Sequence, residues 1–163
     1  MDLANIIFLC WNVRGLNDKA RRDSIRELVA LYKATVVCFQ ETKIETFSPF
    51  LVAQCLGPSY DGFAYLPAVG TKGGILLAWD TSKIRADRVE IGKFTVSVQF
   101  KYDAFIPFWI LLFMSLRTSW TKFFSLMNSR TREPSARVHG LSWGILTSFS
   151  TQKTRITGIL TDE

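Results

Sequence analysis

Two polar residues stand where this chain has the means to do chemistry. Asn12 closes the apolar run Ile6-Ile7-Phe8-Leu9-Cys10-Trp11, and Glu41 follows Thr35-Val36-Val37-Cys38-Phe39-Gln40. An acidic side chain at the ends of neighbouring strands can hold a divalent cation. Mg²⁺ takes one or two carboxylates together with waters and substrate phosphate oxygens. A lone glutamate at such a place reads first as a solvated loop residue, so the elements that position the pair decide its meaning.

Both apolar runs are short, rich in Ile, Val, Phe and Leu, and lack alternation, as expected of strands buried on both faces. Between them, Asn17 or Asp18 can cap the first turn of a helix. Ile25, Leu28, Val29 and Tyr32 then recur at helical spacing, with Lys19, Arg21, Arg22, Asp23, Arg26 and Glu27 on the wet face. Strand, crossover helix and strand in one sheet form a right-handed parallel unit. The spacing predicts a helix from about Lys19 to Lys33. It brings Asn12 and Glu41 together at the carboxyl ends of the strands, where α/β proteins bind ligands. Further strand signals cover Phe63–Leu66, Gly74–Trp79, Arg85–Ile91 and Phe94–Phe100, with Gly92-Lys93 as a two-residue hairpin turn. Gly73-Gly74 lacks the Lys-Ser/Thr of a phosphate loop and reads as the opening of a strand or a tight turn. Asp80 reads as a turn residue at a strand end.

Three stretches together carry a specific likeness. Trp11-Asn12-Val13-Arg14-Gly15-Leu16-Asn17, Gln40-Glu41-Thr42-Lys43 and Gly73-Gly74-Ile75-Leu76-Leu77-Ala78-Trp79-Asp80 resemble the endonuclease/exonuclease/phosphatase family. The likeness is strongest to the apurinic-type endonuclease domain of plant LINE (non-LTR) retrotransposons, and Asp61 to Gly70 continues it. It covers about residues 5 to 109. The resemblance implies an α/β fold, here the incomplete N-terminal portion of a four-layer α/β sandwich, and Mg²⁺-dependent cleavage of DNA. Residue by residue, Glu41 resembles the family's metal-binding glutamate. Asn12 resembles the asparagine that orients the metal and phosphate.

Composition sets wider bounds. A chain of 163 residues with 48% hydrophobic content fits one domain with a core. The longest apolar run, Phe105 to Met114, contains Pro107 and is far too short to span a membrane. Cys10, Cys38 and Cys55 lack metal-ligand spacing and read as free thiols of a reducing compartment. With no signal-peptide pattern at the start, the expectation is an intracellular protein, nuclear or cytoplasmic, with no obligate protein partner. The net charge of +6 suits a nucleic-acid partner, although most of the excess lies in the C-terminal third.

That third departs from the rest. From Ser115 to Thr161 about one residue in three is Ser or Thr, Glu133 is the only acid, and neither strand nor helix periodicity is sustained. One reading is a basic tail of a non-catalytic nucleic-acid-binding protein. Trp109, Trp120, Phe123, Phe124, Trp143 and Phe149 are out of character for such a tail. A change of frame accounts for them. Leu112 to Thr118, written CTG TTT ATG TCC CTC AGG ACG and read from the third base, gives Val-Tyr-Val-Pro-Gln-Asp. Val138 to Phe149, treated alike, gives Pro-Trp-Leu-Val-Val-Gly-Asp-Phe-Asn-Leu-Ile. Gln152 to Glu163 gives Glu-Asp-Lys-Asn-Asn. These match the next motifs of the family, in order and at one offset. The expectation is therefore a partial domain over residues 1–109, an out-of-frame and poorly structured tail over 110–163, and a catalytically inactive product. His139, the only histidine, falls in the tail with no carboxylate partner evident and reads as a bystander.

Overall fold

The computed structural model describes residues 6–101, 107–114, 124–128 and 152–155. In chain order the elements are β1 (Ile7–Asn12), α1 (Lys19–Tyr32), β2 (Val36–Gln40), α2 (Pro49–Leu56), β3 (Gly62–Val69) and β4 (Lys72–Trp79). They are followed by β5 (Arg85–Ile91), β6 (Thr95–Lys101), β7 (Phe108–Phe113), β8 (Phe124–Asn128) and β9 (Gln152–Arg155).

β1 and β2 run parallel, with Phe8 opposite Val36 and Asn12 opposite Gln40, and α1 connects them. Asp18 is the helix cap: its carboxylate accepts from the Arg21 backbone N–H at 3.3 Å. Ile25 and Val29 are the buried residues of α1, while Leu28 and Tyr32 are half-buried. The helix stops one residue short of the expected end because Lys33 turns into the left-handed region, at φ 49°. α2 has no counterpart in the sequence reading. Ser48 caps it by accepting from the Leu51 N–H at 3.2 Å, and Pro49 opens its first turn.

The first sheet has the order β3-β4-β2-β1-β9, and all its pairings except β1 with β2 are antiparallel. The second sheet is an antiparallel meander, β5-β6-β7-β8. Alternation along β2 explains how they stack. Val36 and Cys38 point into a core between the sheets, with Phe8, Leu77, Val96, Val98, Phe100 and Ile110. Val37 and Phe39 point the other way, against Ile25, Val29, Val52 and Cys55 of the helices. Burial of each such Val, Leu or Phe contributes about 1.5–3 kcal/mol relative to exposure. Helices, first sheet and second sheet thus make three of the four layers. Among the described residues no helix covers the outer face of the second sheet.

Two expectations shift in register. The Gly92 N–H donates to the Thr95 carbonyl at 2.9 Å, so the residues enclosed by the β5–β6 turn are Lys93 and Phe94, one later than expected. Gly92 is needed for close approach instead: a Cβ there would lie 2.4 Å from Thr95 Oγ1. The boundary at 109/110 falls inside β7, whose Ile110 pairs with Val98 and whose Leu112 pairs with Val96. Of the tail, β8 and β9 are described as backbone. Trp120, Phe123, His139, Trp143 and Phe149 lie outside the described residues.

Candidate functional site

Three stretches of backbone are sewn together beyond the carboxyl ends of β1 and β2. The Val13 N–H donates to the Gln40 carbonyl at 3.0 Å, and the Leu16 N–H to the Thr42 carbonyl at 2.8 Å. The Thr42 and Lys43 N–H groups donate to the carbonyls of Gly74 and Gly73, at 3.2 and 3.0 Å. Asn17 Nδ2 donates to the Lys43 carbonyl at 3.2 Å. From α1, Arg21 Nη1 donates to the Arg14 carbonyl at 2.9 Å, and Arg22 Nη1 donates to the carbonyls of Leu16 and Asn17, both at 2.8 Å. The loop after β1 is therefore held from both sides.

This network imposes an uncommon backbone. Arg14, Glu41 and Lys43 all adopt left-handed conformations, with φ of 53°, 54° and 56°. A side chain in that region costs about 1–2 kcal/mol, and such residues persist only where surrounding contacts fix them. Three of the four such side-chain-bearing residues among the described residues thus fall on two adjacent loops, the fourth being Lys33 at the end of α1. Thr42, between two of them, is fully buried, and its Oγ1 has no hydrogen-bond partner among the described residues. It packs on Gly74, where an added Cβ would lie 2.3 Å from that oxygen and φ is 88°.

Asn12 and Glu41 lie at one edge. Asn12 is opposite Gln40, and Glu41 is the next residue along. Asn12 is half-buried, and its Oδ1 accepts from the Arg14 N–H at 3.1 Å, which closes a local turn and fixes the amide. Glu41 is exposed. The surroundings are basic: a Cβ on Gly15 would sit 3.4 Å from Lys43 Cδ and 3.7 Å from Arg21 Nη1, so both side chains gather over one point beside Arg14. As a cation site the set is thin. It offers one carboxylate and one amide oxygen that already accepts a hydrogen bond, and no group of three His, Cys, Asp or Glu suited to a metal occurs among the described residues. Those donors do not fit a resident Mg²⁺, which dehydrates reluctantly and needs more oxygen ligands.

Other singled-out residues have structural roles. Gly73 and Gly74 lie within β4 with positive φ rather than forming a phosphate loop. Asp80 is a turn residue, yet only 4% exposed. Burial pushes its carboxyl up, and this is outweighed by Ser82 and the Lys83 ammonium at 2.9 Å, which leave it below the usual carboxylate range. Cys10 and Cys38 are directly opposite on β1 and β2. A hydrogen bond to Cys10 and burial push the Cys38 thiol well up. Arg14, Thr42 and Lys43 lie inside the motifs that flag the edge, although sequence reasoning gives none of them a role of its own.

The family follows from direct comparison. The chain matches the Endonuclease/Exonuclease/phosphatase family over residues 9–151. It belongs to that family. The family match runs beyond residue 109 into the segment that the change of frame sets apart. No curated protein matches the chain. Among solved structures, a humanized TDP2 of D. rerio is 18% identical at a TM-score of 0.50, covering 66% of this chain and 49% of that one. The AP endonuclease LMAP from Leishmania major is 18% identical at a TM-score of 0.48, over 69% of this chain and 40% of that one. D. rerio TDP2 complexed with single strand DNA product is 17% identical at 0.40, over 74% and 44%. The chain thus spans about half or less of the length of these family structures, and its likeness to the first is one of fold.

Proposed function

We propose that this chain is the N-terminal portion of a Mg²⁺-dependent DNA endonuclease from a plant LINE retrotransposon, read out of frame after about residue 110 and inactive as encoded. The observation that carries the reading is the parallel register of β1 and β2 on a family fold, with Asn12 opposite Gln40 and Glu41 next to it. Asn12 and Glu41 are what this chain retains of the family's phosphate-and-metal site. Hydrolysis of a phosphodiester also needs a base to activate water and donors for the charged transition state. Those groups belong to motifs recovered only in the shifted frame, such as Gly-Asp-Phe-Asn. Nucleic acid remains the partner, and the compartment is intracellular.

The test is nicking of supercoiled or abasic DNA in Mg²⁺. The chain as written gives no cleavage above background, because loss of even one transition-state donor costs about 10²–10³ in rate. A frame-corrected chain, extended to the full length of the family domain, nicks DNA and loses that activity on Glu41→Ala. Robust nicking by the chain as written, abolished by Glu41→Ala, refutes the proposal. The net charge of +6 also favours a second reading, a non-catalytic basic nucleic-acid-binding protein that uses its Lys/Arg-bearing tail.

A further inference from the structure

We infer that β5, the edge strand of the second sheet, pairs with β5 of a second copy of this chain, antiparallel about a two-fold axis through Val89, to give a weak homodimer. This surface belongs to the second sheet and is separate from the Asn12–Glu41 edge on the first.

Among the described strands β5 pairs with β6 alone, at the end of the order β5-β6-β7-β8. The turn fixes which of its backbone groups point outward. The Gly92 N–H donates to the Thr95 carbonyl, and along an antiparallel ladder successive residues aim their N–H and C=O to opposite sides. Arg88 and Glu90 therefore face β6, while Val89 and Ile91 direct both groups away from it. The side chains of Val89 and Ile91 are open as well, at 44% and 58% exposure. Such an edge is a template for a further strand. Two identical antiparallel strands related by a two-fold axis perpendicular to their sheet must set one residue opposite its own copy. With Val89 in that place, its N–H and C=O exchange two hydrogen bonds with those of the second Val89. Arg88 then faces Glu90 of the second copy, and Glu90 faces its Arg88. Within one chain these two side chains already share a face of β5, with Nη1 and Oε1 3.9 Å apart and both about half exposed. Pairing completes a square of four charges with opposite signs along every side. On the other face Val89 meets Val89, a β-branched pair suited to a sheet. Centring on Ile91 instead would set Val89 against Lys93 and leave Arg88 and Glu90 without charged counterparts. The register of β5 on β6 shifts between Ala86 and Arg88, so Asp87 bulges, and Lys101 Nζ lies 2.9 Å from its carboxylate. A bulge bends the strand and ends regular pairing, which confines the contact to Arg88–Ile91. So short a contact makes the dimer weak, and its self-complementarity closes it at two copies.

The test is sedimentation equilibrium of the full chain over a wide range of protein concentration at physiological ionic strength. The chain passes reversibly from monomer to dimer, with no larger species. Arg88→Glu and Glu90→Arg each act twice across the axis and weaken association by about tenfold or more. The double exchange Arg88→Glu/Glu90→Arg restores it to within about threefold of the parent. Val89→Lys sets two ammonium groups against each other on the axis and abolishes the dimer. Lys19→Gln, on α1, leaves association unchanged, and circular dichroism confirms that the variants remain folded. A monomer at every concentration overturns the inference. Association that survives Val89→Lys, or that the double exchange fails to restore after each single exchange has weakened it, overturns it in favour of another contact surface.

Discussion

Replacing Gly74 by alanine should unfold this domain more readily than any nearby surface change, and the cost can be apportioned. At φ 88° the backbone is one that L side chains rarely adopt, which costs about 1 kcal/mol for alanine. The new Cβ would lie 2.3 Å from Thr42 Oγ1 and 3.3 Å from Ala68 Cβ and Lys43 N. Thr42 is short, β-branched and fully buried, so it has no flexible end to swing aside. Overpacking of this kind adds about 1–3 kcal/mol. The expected total is about 2–4 kcal/mol, a large part of the 5–15 typical of a domain. Urea unfolding followed by circular dichroism should show a midpoint lowered by about 1–2 M for an m-value near 2 kcal/mol/M. Thr42→Ala alone should cost about 1 kcal/mol or less. It loses a methyl group and also removes a buried hydroxyl that has no partner among the described residues. In the Thr42→Ala background, Gly74→Ala should then cost about 1 kcal/mol less than in the parent. Additivity of the two substitutions within about 0.5 kcal/mol would refute the overlap as the source of the cost.

Thiol reactivity should follow burial. At pH 8 iodoacetamide should label half-buried Cys10 first, while Cys55, pushed up to about 11 by burial, is ionised to only about one part in a thousand and reacts far more slowly. Peptide mapping that found Cys38 or Cys55 modified ahead of Cys10 would contradict the packing. Asp80 should contribute to acid sensitivity. Its carboxyl is lowered in the folded state, so its stabilisation is present above the unfolded value near 4 and is lost as pH falls below it. Asp80→Asn should therefore reduce stability at pH 6 and flatten its decline between about pH 4 and 2, as measured by thermal melting.

The strand–helix–strand opening was legible because β1 and β2 are bounded apolar runs and α1 has one buried stripe, from Ile25 to Val29, with charge opposite. β4 was legible for a similar reason, as an apolar run that Asp80 ends. α2 was not: Phe50, Leu51 and Val52 give no polar face to set a helical period, and only Ser48-Pro49 signals its start. At the site, the co-location of Asn12 and Glu41 follows from parallel register alone. The left-handed turns at Arg14, Glu41 and Lys43 do not. None of these residue types favours that conformation, and it arises from hydrogen bonds to Gly73, Gly74 and Thr42 that only the assembled sheet supplies. The hairpin slipped by one residue for a related reason. Gly92 advertises a turn centre, but its lack of a Cβ is spent on contact with Thr95.

The strand order of the first sheet has a consequence for how the chain emerges during synthesis. β1, α1, β2, α2, β3 and β4 lie within residues 7–79, and their pairings are satisfied within that stretch. The remaining edge of β1 is different. Its partner β9 sets Ile7 against Arg155 and Cys10 against Gln152, so β1 is completed by a strand that lies far downstream of β4 in the chain. At a typical elongation rate of about 5–20 residues per second, that edge waits several seconds with its backbone groups unpaired. An apolar edge such as Ile7-Phe8-Leu9 is a template for a second nascent chain. Products that stop between β4 and β9 keep that template permanently, and neighbouring chains on one polysome would be the first to find it.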